Sequence, residues 1–251
     1  MQRLPVLLAM MQPREQTGKP TQQLPKGNLG RFSWRRSVTS YTRVHNWVSK
    51  YITPVTRNRN WLVSQKLWAG REYLNVGCGY GLYPGFVNMD IIWKPGVLVW
   101  DIAKIAEAPL PFPDKAFKGI YTEHCLEHIE LEQARANMRE WHRVLKSGGT
   151  VRVIVPDGEI YINGWIAHRE GRKVELPYAK QWGEATPMMS LNRVGHDSHK
   201  FVYDYETMAL LLREAGFKEV RKLSFGQGRD PELLKDSKHR EWESLYVEAT
   251  K

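Results

Sequence analysis

The chain has 251 residues, 42% hydrophobic and 25% charged, which suits one α/β domain with an extension and excludes a wholly disordered chain. Its formal net charge of +10 is unevenly spread: residues 1–70 hold 12 Lys or Arg and one acid, Glu15, for +11, which leaves 25 bases and 26 acids, a balance of −1, for the other 181 residues. Two cysteines exclude a disulfide scaffold and a cysteine-based zinc motif, and no apolar run approaches the ~20 residues needed to cross a bilayer.

The segment Leu4 to Met11 is short for a signal-peptide core, and no small-residue cleavage site follows it. With the thiols free, a cytoplasmic location is expected. Residues 1–40, rich in Pro, Gln, Gly, Ser, Thr and bases, read as a basic extension without a core of its own. There Phe32 and Trp34 interleave with Arg31, Arg35 and Arg36, which suits an anionic partner, a membrane surface or a nucleic acid, or else aromatics packing back onto the domain. Residues 41–70 read as N-terminal helices: Val44, Trp47, Val48, Tyr51 and Ile52 keep helical spacing up to Pro54, and Trp61–Trp68 forms a second short helix.

Residues 71–251 form the main domain. Tyr73, Leu74 and Val76 predict a buried parallel strand with Asn75 near its carboxyl end, stopped by Gly77, Gly79 and Gly81, which can take positive φ and let backbone approach a ligand closely. Phe86 to Asp90 predicts a second strand ending in an acid that can accept from both ribose hydroxyls of a nucleoside cofactor. Only Tyr80–Gly85 separate the two, whereas a parallel crossover ordinarily needs a dozen residues or more. Either this crossover is a bare turn or the Phe86 strand lies elsewhere.

A third strand runs through Val97 to Asp101, and a fourth through Lys118 to Glu123 and His124. Apolar residues at Leu126, Ile129, Ala134, Met138, Trp141 and Leu145 predict a helix over 126–146. Thr150–Val155 forms a fifth strand, with Asp157 just beyond it. Residues 158–200 read as a long segment without regular structure, an acceptor-binding cap. His196, His199 and Tyr203 close it without a clean ligand set, so no metal site is expected. A helix at Tyr205–Ala215 and strands at Glu219–Ser224 and Ser244–Thr250 complete the chain.

The segments Leu74-Asn-Val-Gly-Cys-Gly79, Gly85-Phe-Val-Asn-Met-Asp-Ile91, Leu110 to Phe117, Leu126-Glu-His128, Arg143 to Gly149 and Val155-Pro-Asp157 follow in an order that resembles the class I S-adenosylmethionine-dependent methyltransferases, of the small-molecule and glycan-biosynthesis type. The resemblance covers residues 70–160. It implies a Rossmann-like, doubly wound, mostly parallel seven-stranded sheet with an antiparallel C-terminal strand, and S-adenosyl-L-methionine as cofactor. It implies a cofactor site of Asn75, Gly77, Cys78, Gly79, Asp90, Ile91, Asp101, Ile102, Glu123 and His124, with Asp101 and Ile102 beside the adenine. His124, Asp157 and His199 are the catalytic candidates, His124 first because an imidazole titrates nearest neutrality. The implied reaction is methyl transfer to an oxygen or nitrogen of a small molecule or glycan precursor. The alternatives are a nucleic-acid methyltransferase using the basic segment, a catalytically silent cofactor-binding subunit and a nicotinamide-dependent reductase.

Overall fold

The computed structural model describes residues 68–175, 183–196 and 198–251. The basic extension and the N-terminal helices expected before Trp68 lie outside the described residues, as does part of the expected cap.

Seven strands form one sheet: β1 Tyr73–Val76, β2 Phe86–Asp90, β3 Val97–Val99, β4 Phe117–Glu123, β5 Leu145–Pro156, β6 Lys218–Leu223 and β7 Ser244–Thr250. Their order is β3-β2-β1-β4-β5-β7-β6. β1 pairs in parallel with β2 and β4, β2 with β3, and β4 with β5, whereas β7 runs antiparallel to both β5 and β6. The expected sheet with its antiparallel final strand is therefore present. The inner strands are apolar on both faces because both are covered: Leu74, Val76, Ile120, Val151 and Val153 are fully buried.

β1 and β2 are indeed joined without a helix. β1 has only four residues, so the return trip is about 13 Å along the strand and ~5 Å sideways. Residues 77–85 reach roughly 30 Å when extended, so a bare loop suffices. The loop is pinned from inside: buried Asn75 donates through Nδ2 to the Gly81 carbonyl (2.8 Å) and to Asn88 Oδ1 (3.0 Å), and Asn88 Oδ1 also accepts from Tyr83 N (3.0 Å).

Helix α1 spans Leu131–Val144 and buries Ala134, Met138, Trp141 and Val144 against the sheet. The expected helix over 126–146 is thus shorter. Residues Leu126–His128 form a 3-10 turn, and Glu130 is extended, its N–H donating to Gln133 Oε1 (2.9 Å) to start α1. Glu140 and Arg143 form an ion pair one turn apart on α1, and Arg143 also donates to Asp114 and to the Leu110 and Phe112 carbonyls, stapling the connector between β3 and β4 that carries Pro109, Pro111 and Pro113.

The expectation of an irregular 158–200 is overturned. Helix α2 covers Gly158–Arg169, capped by Asp157, and α3 covers Pro187–Gly195, capped by Thr186. α2 escapes sequence patterning because Ile160, Ile162, Trp165 and Ile166 remain partly exposed around it, leaving no single apolar stripe. Helix α4, Tyr205–Glu214, is capped by Asp204 and packs on α1's face of the sheet through Met208, Leu211 and Leu212. The opposite face is covered partly by aromatics, Tyr73, Tyr83, Phe86, Tyr121 and Tyr246, together with Phe225 and Leu233 from the β6–β7 connection.

Candidate active site

A cavity of about 450 Å³ opens at the carboxyl ends of the parallel strands, lined among others by Gly77, Gly79, Asp90, Ile91, Trp100 and Asp101. Ile102, Ala103, His124, Cys125, His128 and Ile129 complete its wall. Strand ends of an open α/β sheet are where polar groups converge with no side chains above them, so the position follows from the topology.

Each wall has a local cause. Gly77 sits at φ +68, and a Cβ there would stand 2.2 Å from Cys125 Sγ, so only glycine lets the loop cross the β4–α1 junction. Gly79, at φ +49, has nothing within 4 Å of its missing Cβ, which leaves its backbone open to the cavity. Asp90 Oδ2 accepts from Gly79 N (2.7 Å) and Oδ1 from Ile92 N (3.0 Å), so one carboxylate fixes the loop at the end of β2. Asp101 caps the 3-10 turn Ile102–Lys104, accepting from Ala103 N (3.0 Å), and that turn brings Ile102 and Ala103 to the rim.

His124 occupies the left-handed region at φ +47, an uncommon conformation for a non-glycine residue, which bends the chain out of β4. Its Nε2 lies 2.9 Å from Ser244 Oγ and its Nδ1 3.1 Å from Arg240 Nη1. Ser244 Oγ donates to the Arg240 carbonyl, and a guanidinium can only donate, so the ring is the neutral Nε2–H tautomer. Burial, aided by the Arg240 charge, pushes its pKa down to about 4.

The structure thus brings Gly77, Gly79, Asp90, Ile91, Asp101, Ile102 and His124 to one cavity. Asn75 lies beneath it, holding the glycine loop. Cys78 is buried, its thiol pushed up to about 12 by desolvation, with its backbone N–H bonded to Met89 O (2.9 Å). Glu123 points to the β6–β7 connection and accepts from Ser237 N (2.9 Å) and Ser237 Oγ (2.7 Å). Asp157 caps α2 and pairs with Lys222 (3.3 Å), away from the cavity. His199 stands edge-to-face on His128, ring centroids 4.9 Å apart. Sequence reasoning missed Trp100, Ala103, Cys125, His128 and Ile129 as wall residues. The available signal was the spacing of His124, Glu127 and His128, which a tight turn places on one side.

Residues 92–153 match the family model described as a methyltransferase domain. The match begins after β2, so β1 and the glycine loop lie outside it. No curated protein matches the chain. Among solved structures, an S-adenosylmethionine-dependent methyltransferase from Archaeoglobus fulgidus aligns at 15% identity and TM-score 0.44 over 85% of this chain and 100% of its own. One from Thermotoga maritima, described as a possible histamine N-methyltransferase, aligns at 20% identity and TM-score 0.43 over 84% and 96%. Phosphoethanolamine N-methyltransferase 2 of Haemonchus contortus, bound to S-adenosyl-L-methionine, aligns at 13% identity and TM-score 0.42 over 76% and 52%. The match over residues 92–153 covers less than half of the chain and is to a methyltransferase domain, and the seven-stranded sheet with β7 inserted antiparallel is the architecture expected from that resemblance.

Proposed function

We propose that the chain transfers the methyl group of S-adenosylmethionine to an oxygen or nitrogen of a small molecule or glycan precursor, in the cavity bounded by Gly77, Asp90, Asp101 and His124. The observation that carries this reading is the convergence of open glycine backbone, two strand-end carboxylates and apolar walls on one cavity. Those residues fit an adenosyl group. Asp90 is placed to accept from ribose hydroxyls, Asp101 from an exocyclic amine, and Ile91, Ile102 and Ile129 flank a flat base. The cofactor supplies an electrophilic methyl on a leaving group that is already cationic, so the protein's main task is alignment. His124, with both nitrogens engaged, serves as a positioning element at the junction where cofactor and acceptor meet. Asp157 and His199 remain candidates only for contacts on the acceptor side.

The two unbonded cysteines support a reducing, cytoplasmic setting. Among the described residues no helix is long and apolar enough to cross a membrane. The charge of residues 1–70 favours a second reading, a nucleic-acid acceptor, and deletion of residues 1–40 separates the two. A nucleic-acid enzyme loses salt-sensitive binding, whereas a small-molecule enzyme keeps its turnover.

Calorimetric titration with S-adenosylhomocysteine tests the cofactor site. Asp90→Ala and Asp101→Ala are each expected to weaken binding ~10- to 100-fold, the loss of a charged hydrogen-bond acceptor, with melting temperatures checked in parallel. Unchanged affinity in both variants overturns the assignment. Release of S-adenosylhomocysteine with hydroxyl and amine acceptors then identifies the acceptor class.

A further inference from the structure

We propose that Glu127, His128 and His199 form a binding site for a divalent transition-metal ion, Zn²⁺ foremost, beside the cofactor cavity. Their ligand atoms all lie within 4.8 Å of one another. Two imidazoles and one carboxylate are the donor set of a catalytic zinc centre, which keeps its fourth position open.

Glu127 is the first reason. It is 1% exposed, yet neither carboxylate oxygen has a hydrogen-bond partner. A buried carboxylate without a partner costs stability unless a cation or donor meets it. The nearest ring, His124, does not fill that role as it stands. His124 Nδ1 is 3.4 Å from Glu127 Oε1, but that nitrogen already accepts from Arg240, so it turns a lone pair, not a proton, toward the carboxylate.

The second reason is the orientation of the two other imidazoles. His199 Nδ1 lies 2.9 Å from the Val194 carbonyl, and His128 Nδ1 lies 3.4 Å from the Ser198 carbonyl and 3.2 Å from Ser198 Oγ. A carbonyl only accepts, so His199 Nδ1 carries the proton and its Nε2 presents a lone pair, and the same tautomer of His128 is the one that satisfies the Ser198 carbonyl. His128 Nε2 is 4.0 Å from Glu127 Oε1. This is the outer arrangement of metal-binding histidines, whose second ring nitrogen donates to a carbonyl and so fixes tautomer and aim.

The backbone explains how residues 70 positions apart meet. The carbonyl of Glu127 accepts from Lys200 N (2.6 Å) and Phe201 N (3.3 Å), which ties the chain after His199 to the turn carrying Glu127 and His128. Tetrahedral bonds of ~2.0–2.1 Å put ligand atoms about 3.3 Å apart, so the cluster must tighten on binding. His128 is exposed and His199 partly so, and both can rotate.

His128 also lines the cofactor cavity, so the open position adjoins the proposed acceptor side. There a cation would lower the pKa of an acceptor hydroxyl. That role rests on the methyl-transfer reading above; the metal site itself does not.

The test is Zn²⁺ titration of the chelator-treated full chain, read by calorimetry and by the visible spectrum of the Co²⁺-substituted protein. One equivalent is expected, with a tetrahedral Co²⁺ spectrum. His128→Ala and His199→Ala should each weaken binding by at least the ~10- to 100-fold that loss of a mere supporting residue costs. His168→Ala, on the exposed part of α2, should not. Zinc should raise the melting temperature of the wild type and not of the two ligand variants, which separates lost binding from lost folding. Absence of zinc binding at tens of micromolar, or binding undiminished in both ligand variants, overturns the proposal. Affinity for S-adenosylhomocysteine, measured on the same samples, shows separately whether the cofactor site stands.

Discussion

Two charge clusters are buried in this sheet, and they are solved in opposite ways. Arg152, in the middle of β5 and fully buried, donates to both oxygens of Asp236 (2.8 and 2.6 Å), to Glu248 (2.8 Å) and to the Gln227 carbonyl (2.8 Å). Every charge there is answered from within the chain. Glu127, in the 3-10 turn that follows the neighbouring strand β4, is equally buried and has no hydrogen bond to either oxygen. A folded protein tolerates buried charge where partners are built in, so a cluster lacking them marks a place that expects something from outside.

That contrast can be broken by substitution. Arg152→Met strands Asp236 and Glu248 without their cation and should cost about 3–5 kcal/mol, read as a fall of roughly 10 °C or more in the melting temperature. A loss below ~1 kcal/mol would mean the network contributes little, and the two clusters would be alike.

The glycine loop offers a second, smaller contrast at the same cavity. Gly77→Ala must place a Cβ against Cys125 as well as hold a positive φ, and should cost about 2–3 kcal/mol in urea unfolding. Gly79→Ala meets open space and should cost only the backbone strain, ~1 kcal/mol. A reversed order would show that the loop is not held against the β4–α1 junction as described.

The smallest effect is the sharpest. In chelator, Glu127→Gln replaces a carboxylate that has no hydrogen-bond partner, so unfolding stability should move by no more than ~1 kcal/mol in either direction. A loss above ~3 kcal/mol would reveal a partner for Glu127 within the chain and dissolve the comparison.

The difference between the clusters also explains what was legible in the sequence. The strands were, because Leu74, Val87, Ile120 and Val151 sit in short apolar runs punctuated by glycine and acids, and a strand end localises whatever follows it. Gly77, Asp90, Asp101 and His124 follow from that logic together with the family resemblance, and all four line the cavity. Asn75, Glu123 and Asp157 carry the same residue types at similar positions, but they serve the loop, the β6–β7 connection and the α2 cap. Only their partners reveal this, and Asn88, Ser237 and Lys222 are distant or unremarkable in the sequence. His199 was noticed without its true neighbours, because backbone hydrogen bonds from Lys200 and Phe201 to the Glu127 carbonyl, far apart in sequence, bring it there. Helices α2 and α3 were hidden by apolar residues that face outward.

β7 follows β6 along the chain yet sits between it and β5, and it begins with Ser244, the residue that fixes the His124 ring. Without β7, β5 would offer a bare edge and β6 would have no strand to pair with. A chain lacking this insertion would therefore keep most of its other strands and lose the hydroxyl that orients the His124 imidazole at the cavity.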